Sequence, residues 1–189
     1  MSWIDEIGVD DADEELGRIY AELIEKRGKV SNILKAHSLH PAALQIHLDL
    51  YMTLMFGRSG LSRAEREAIA VVVSASNDCE YCVQHHVEAL RRHLRDEDTL
   101  QTLAGAENLD ALEPRLGNIV MHAEKLTSAP GAMTESDLHD LRAVGLSDRD
   151  ILDLTLIVGY FNFVNRIAMG LGVGFDAAEL SGYRDEADA

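Results

Sequence analysis

Between Leu61 and Ser76 the chain reads LSRAEREAIAVVVSAS, a polar start followed by an almost unbroken apolar run. Ser62 and Glu65 stand three residues apart ahead of that run. In this spacing a hydroxyl and a carboxylate each take one of the free N–H groups around a helix start. IAVVV alone would suit a buried strand, because β-branched side chains favour sheets. The cap and the length of the apolar pattern predict a helix instead, with Arg63, Arg66 and Glu67 left as a polar strip. Pro41 fits the first turn of a helix running to about Phe56, after which Gly57 and Gly60 punctuate the chain. Similar patterns predict helices near 11–27, 79–94, 97–104, 113–128, 135–143 and 148–169. Thr134 with Asp137, and Ser147 with Asp150, supply caps for the last two. No alternating run bounded by hairpin turns occurs, so the expected fold class is all-α.

A near repeat links two of these starts: LSRAEREAIAVVV from Leu61 and LSDRDILDLTLIV from Leu146 each place a cap and an acidic first turn before an apolar helix. It suggests two similar helical units packed in one compact multi-helix bundle. A length of 189 residues fits a single domain over 1–189. With 47% hydrophobic residues and three prolines, the composition is that of a globular chain. The net charge of -16, unrelieved by a basic stripe, argues against nucleic acid and anionic membrane as partners. The segment LTLIVGYFNFVNRIAMGLG is interrupted by Asn162, Asn165 and Arg166 before it reaches spanning length. The start MSWIDEIGVDDADEEL lacks a basic region followed by an apolar core, and a cytoplasmic location is expected. The acidic stretches DDADEE and RDEADA read as solvated ends.

The chemistry concentrates in NDCEYCVQHH, Asn77 to His86, which holds both cysteines of the chain and two of its eight histidines. On a helix beginning near Cys79, the residues Cys79, Cys82 and His86 follow at i, i+3 and i+7 and share a face with Val83, Val87 and Leu90. His85 lies further round, toward the polar side. Two sulfurs so spaced at a helix start can approach disulfide geometry, and the free N–H groups of the first turn favour a thiolate. An imidazole one turn on can take the thiol proton. Asp78 and Glu80 oppose this, because neighbouring carboxylates raise a thiol pKa. Three readings stand open: a redox pair, a zinc site, or two buried thiols without chemistry. Zinc would need His122 or Glu67 as a fourth ligand, since no second Cys-x-x-C exists. The remaining histidines, His37, His40, His47, His93, His122 and His139, form no ligand spacing. Arg166 is a candidate for a substrate carboxylate, against a buried ion pair or a snorkelled surface charge.

Glu67 followed by CEYCVQHH resembles the active-site signature of the AhpD-like alkylhydroperoxidase family, within the carboxymuconolactone decarboxylase-like superfamily. The CEYCVQHH string and the later FNFVNRIAMGLGV are similar to those of its uncharacterised peroxidase-related branch, over about residues 15 to 175. The resemblance implies an all-helical AhpD-like fold, a homo-oligomer, and a peroxidatic cysteine matched by Cys82 with a resolving cysteine matched by Cys79. It implies proton-relay roles for His86 and Glu67. One departure is Tyr81, which stands where the best-described members carry a second relay histidine; a phenol, with an ordinary pKa of about 10, does not shuttle protons near neutrality. The expected activity is a thiol-dependent, antioxidant reduction of hydroperoxides, with no metal or cofactor and with an external thiol or disulfide as electron donor. The alternatives are a disulfide reductase or redox relay serving a partner protein, and a non-enzymatic redox-sensing or zinc-binding module.

Overall fold

The computed structural model describes residues 2–180 and 183. Among them there is no strand, and ten α-helices carry the fold: α1 Glu14–Arg27, α2 Asn32–Lys35, α3 Pro41–Phe56, α4 Arg63–Ser76, α5 Glu80–Leu90, α6 Glu97–Gly105, α7 Pro114–Ser128, α8 Glu135–Ala143, α9 Asp148–Gly170 and α10 Ala177–Leu180. The all-α expectation holds, and the longer helices lie close to the predicted spans. The short α2 and α10 were not predicted, since a single turn shows no period. Of the acidic ends, RDEADA lies outside the described residues.

The described residues gather into two compact units, those within Met1–Leu50 and Ile167–Ala189, and those within Tyr51–Arg166. In the first, Leu16, Ile19, Tyr20 and Leu23 recur on one face of α1 and pack with Val30 and Leu44. Asp13 accepts from the Leu16 N–H at 2.9 Å to start the helix. Gly28, at φ 84, ends it by turning left-handed, a conformation that costs a glycine nothing.

The second unit is organised around α4. Ser62 accepts from the Glu65 N–H at 3.2 Å while Glu65 Oε2 accepts from the Ser62 N–H at 2.6 Å, the reciprocal cap that the sequence predicts. From Arg66 to Ser74 every residue of α4 is buried, and the helix packs against α5, α6 and α7. Of the polar strip, Arg66 and Glu67 are therefore turned inward, while Arg63 stays partly exposed. The buried Arg66 guanidinium donates to the carbonyls of Leu54 and Met55, which the end of α3 leaves open, and to that of Leu61 just ahead of α4.

The second repeated start is capped in the same way. Asp150 accepts from the Ser147 N–H at 2.9 Å, and Ser147 Oγ accepts from the Asp150 N–H at 3.3 Å. Both repeated starts lie within Tyr51–Arg166, and they are tied to one another. Asp150 Oδ1 accepts from the Gly60 N–H at 2.9 Å, and Arg115 bonds Glu65 Oε1 at 2.6 Å and the Gly60 carbonyl at 3.2 Å. A Cβ on Gly60 would stand 2.4 Å from Asp150 Oδ1, so this approach requires glycine. By length and composition α9 could cross a membrane, contrary to the interruption expected, but half of that stretch is buried inside the protein as in a core helix.

A buried histidine, His47, makes the first unit sensitive to acid. The His37 and His47 rings lie 4.6 Å apart, and burial, then the neighbouring His37, pushes the His47 pKa down to about 3. The unfolded chain takes up this proton near its ordinary value of about 6.5, and the folded chain refuses it until about 3. Stability is thus full above the upper value and falls with pH between the two. Chemical denaturation from neutral pH down to about 5 should show the parent losing on the order of 2 kcal/mol that His47→Leu retains. Equal losses in both proteins would show that His47 is not the sensor.

Candidate active site

The site grows from the turn between α4 and α5. Asp78 sits at φ 54, a left-handed conformation that a short polar side chain tolerates and a β-branched one does not. This reversal folds Cys79 back so that its N–H reaches the Ser74 carbonyl at 2.9 Å, while the Cys79 carbonyl accepts from Val83 at 3.0 Å. Cys79 is therefore the residue before the helix and not its first member; the expected helix from 79 to 94 is shortened to Glu80–Leu90. The left-handed turn accounts for the late start, since it sets α5 off one residue after the expected position. Cys82 lies in the first turn of α5 and His86 one turn further on.

Both sulfurs are free thiols, each 2% exposed. They hydrogen-bond one another, so the first proton leaves the pair far more readily than the second. The Cys82 thiol, donating to the Cys79 sulfur, pulls Cys79 down to about 7 against the effect of burial; the Cys82 backbone N–H and Asn165 add to the pull. Cys82 is pushed well above the ordinary thiol value by its bond to Cys79 and by burial. Asp78 and Glu80, expected to oppose a thiolate, are exposed and turn their charge to water while the sulfurs face the core.

Glu67 and His86, nineteen residues apart in sequence, meet here. His86 Nδ1 lies 2.6 Å from Glu67 Oε2, and Arg63 Nη2 lies 2.5 Å from Glu67 Oε1. The carboxylate has no exposure, and its charge is shared between a guanidinium and an imidazole. By accepting from Nδ1 it fixes the ring's orientation and leaves Nε2 on the far side from the carboxylate. Phe161 of α9 meets that ring edge-on, with centroids 4.6 Å apart. Arg63 is itself held by the Met55 carbonyl at 2.7 Å and by the Phe56 face, 3.8 Å away.

The structure thus joins Cys79 with Cys82, and Glu67 of α4 with His86, while Cys82 and His86 stand one turn apart on α5. Tyr81 is buried and stacks on His85, 4.2 Å between centroids, with the His85 ring bonded to the Tyr81 carbonyl. Among the described residues no group of three or more His, Cys, Asp or Glu is gathered for a metal ion, and His122 joins no such group. Arg166 is exposed and donates to the Asn162 carbonyl and side chain; it forms no buried ion pair. Sequence reasoning passed over Ser74 and Asn165, both fully buried and both hydrogen-bonded with Cys82. Their signal is a polar residue inside an apolar helix; in the sequence Asn165 counts only as an interruption, and Ser74 draws no reading.

Residues 41–120, which run from α3 into α7, match the model of the carboxymuconolactone decarboxylase family. The chain superposes on an uncharacterized peroxidase-related protein from Silicibacter sp. TM1040 with a TM-score of 0.86 and 33% identity, over 97% of this chain and 96% of that one. A second solved structure is an alkylhydroperoxidase AhpD core, an uncharacterized peroxidase-related protein from Ralstonia eutropha JMP134. It gives a TM-score of 0.85 and 26% identity over 95% and 94%. In sequence, the uncharacterized protein YdfG of Bacillus subtilis (strain 168) is 24% identical over 143 residues, 76% of this chain and 96% of its own.

The shared proton of the thiol pair is directly testable. Alkylation of the reduced protein, followed by mass spectrometry across pH, should show one cysteine whose reactivity rises through about 7. In Cys82→Ala, Cys79 loses the S–H donor that chiefly lowers its pKa, and its midpoint should climb. An unmoved midpoint would assign the low value to something other than Cys82.

Proposed function

We propose, for a chain that belongs to the AhpD-like, carboxymuconolactone decarboxylase-like family, a thiol-dependent peroxidase that reduces hydroperoxides through its Cys-x-x-C pair. The observation that carries the reading is two mutually hydrogen-bonded buried thiols placed one turn before an imidazole fixed by a buried carboxylate. The peroxidase-related relatives support the same direction. In the first step Cys82 loses its proton to His86, and the thiolate attacks one peroxide oxygen. The S–O bond forms, the O–O bond breaks, and the alkoxide takes the proton back from His86 to leave as an alcohol. The sulfur is oxidised to a sulfenic acid as the peroxide is reduced. Cys79 then attacks the Cys82 sulfur, the S–S bond forms, and the departing hydroxide leaves as water once protonated. Two external thiols, or one external dithiol, supply two electrons and two protons to reset the pair and are themselves oxidised to a disulfide.

Glu67 orients His86, and Arg63 compensates the charge of Glu67, so the base is held in one tautomer without solvent. The burial of both sulfurs favours a small hydroperoxide over the disulfide of a partner protein, which must reach a thiolate in line. Tyr81 takes no part in this scheme. The lowered pKa of Cys79 favours a second reading in which Cys79 attacks and Cys82 resolves. The two are separated by hydroperoxide consumption. Cys82→Ser should abolish it, and Cys79→Ser should permit one oxidation that stalls at sulfenic acid. If Cys79→Ser fails to react at all while Cys82→Ser reacts once, the order is reversed. If neither the parent nor any variant consumes hydroperoxide, the peroxidase reading falls. His86→Ala should slow the first oxidation by about two orders of magnitude or more.

A homo-oligomer in the cytoplasm is part of the proposal. On α9, Leu152, Leu156 and Phe163 are 53%, 43% and 50% exposed and lie along one face, a stripe that association would cover. Sedimentation at micromolar concentration should give a species larger than the 20.8 kDa chain, and Phe163→Glu should shift it toward that mass. A parent that sediments only as the single chain would overturn the oligomer.

A further inference from the structure

We propose that the Asn165 side-chain amide is the donor that holds the thiolate of the cysteine pair, with Asn77 as the positioning residue that sets which end of the amide faces sulfur. The inference rests on the thiol chemistry proposed above.

The direction of every bond in this network can be fixed from groups that have only one role. The Val73 carbonyl can only accept, so the Asn77 atom 3.0 Å from it must be the amide nitrogen. That nitrogen also lies 3.0 Å from the Asn165 side chain, which must present its oxygen there. The Asn165 nitrogen therefore points the other way, toward Ser74 Oγ at 3.1 Å and toward both sulfurs. At the outer end, the Arg166 guanidinium can only donate. Its 2.8 Å bond to Asn162 Oδ1 fixes that amide as well, and Asn162 Oδ1 accepts from Asn77 at 3.2 Å.

The consequence is a buried amide with no freedom to flip. Ser74, accepting from Asn165, turns its own proton toward Cys82. The pair thus faces a hydroxyl and an N–H that both donate. Such donors favour a sulfur anion far more than a neutral thiol, and neither titrates over the working range. His86 moves the proton, whereas Asn165 stabilises what remains after it has moved.

The test is titration of the thiolate by its ultraviolet absorbance in the reduced protein, without peroxide. Asn165→Leu should raise the first midpoint by about one pH unit. Asn165→Asp, which keeps the shape but places a carboxylate beside the sulfurs, should raise it at least as far. Asn77→Ala, which frees the amide to flip, should raise it less, and Ser74→Ala less than Asn165→Leu. Circular dichroism reports folding, and should Asn165→Leu not fold, the isosteric Asn165→Asp carries the test. A midpoint unchanged in the folded Asn165 variants overturns the inference, as does a larger shift in Ser74→Ala. The two proposals fail separately. Shifted midpoints in a protein that consumes no hydroperoxide sink the peroxidase reading alone. Hydroperoxide consumption with unshifted midpoints sinks this inference alone.

Discussion

The ionised side chain of Glu67 has no water to solvate it, and the arrangement of the second unit follows from how that charge is shared. One oxygen meets Arg63 and the other meets His86, so a guanidinium and an imidazole stand in for solvent. Arg63 in turn takes the Met55 carbonyl and lies on the Phe56 ring, which couples the end of α3 to the start of α4. His86 carries the link across to α5. Removing any member leaves a buried charge or a buried donor open, a far larger loss than the net worth of the bond itself. The same contacts that stabilise this region also hold the basic nitrogen, so stability and base placement are not separable here.

The thiols are managed by a different strategy. No cation appears among the groups that lower the Cys79 pKa; all of these are dipoles, an S–H, a backbone N–H and a carboxamide. Dipoles serve an acidic chain well. A net charge of -16 raises the cost of any new anion, and a local cation would be pulled toward the abundant surface carboxylates. Neutral donors held inside α4 and α9 keep their alignment whatever the surface charge and the salt concentration.

Much of this was legible in the chain. The caps at Ser62, Thr134 and Ser147, with apolar spacing behind them, placed three helices, because capping and periodicity are local properties. The cysteine pair and His86 announced themselves by spacing. What the sequence hid was mostly non-local. The short α2 and α10 carry no period, and Asp78 gives no sign that its backbone turns left-handed, which is why α5 starts after Cys79. Glu67 looked like one more charge at a helix start or a spare zinc ligand; only the resemblance gave it a proton-relay role, because nineteen residues separate it from His86. Asn165 reads as a flaw in an apolar helix, and Ser74 draws no notice. A polar residue where the pattern demands an apolar one is the signal of a buried network, but the pattern alone does not say what the network holds.

The anchoring of Cys79 has a kinetic side. Its N–H is bound to Ser74, its carbonyl to Val83, and its sulfur already touches Cys82 before any oxidation. In the proposed cycle no segment has to unwind for the disulfide to close; side-chain rotation is enough. Closure is then a first-order event with a high effective concentration, set against a second peroxide molecule that must arrive by diffusion. Under the proposed cycle, a site of this build would resist hyperoxidation. The proposed sulfenic acid would be captured by its neighbour before it could climb to the irreversible sulfinic state, so a sudden excess of oxidant would exhaust the proposed donor before it damaged the pair.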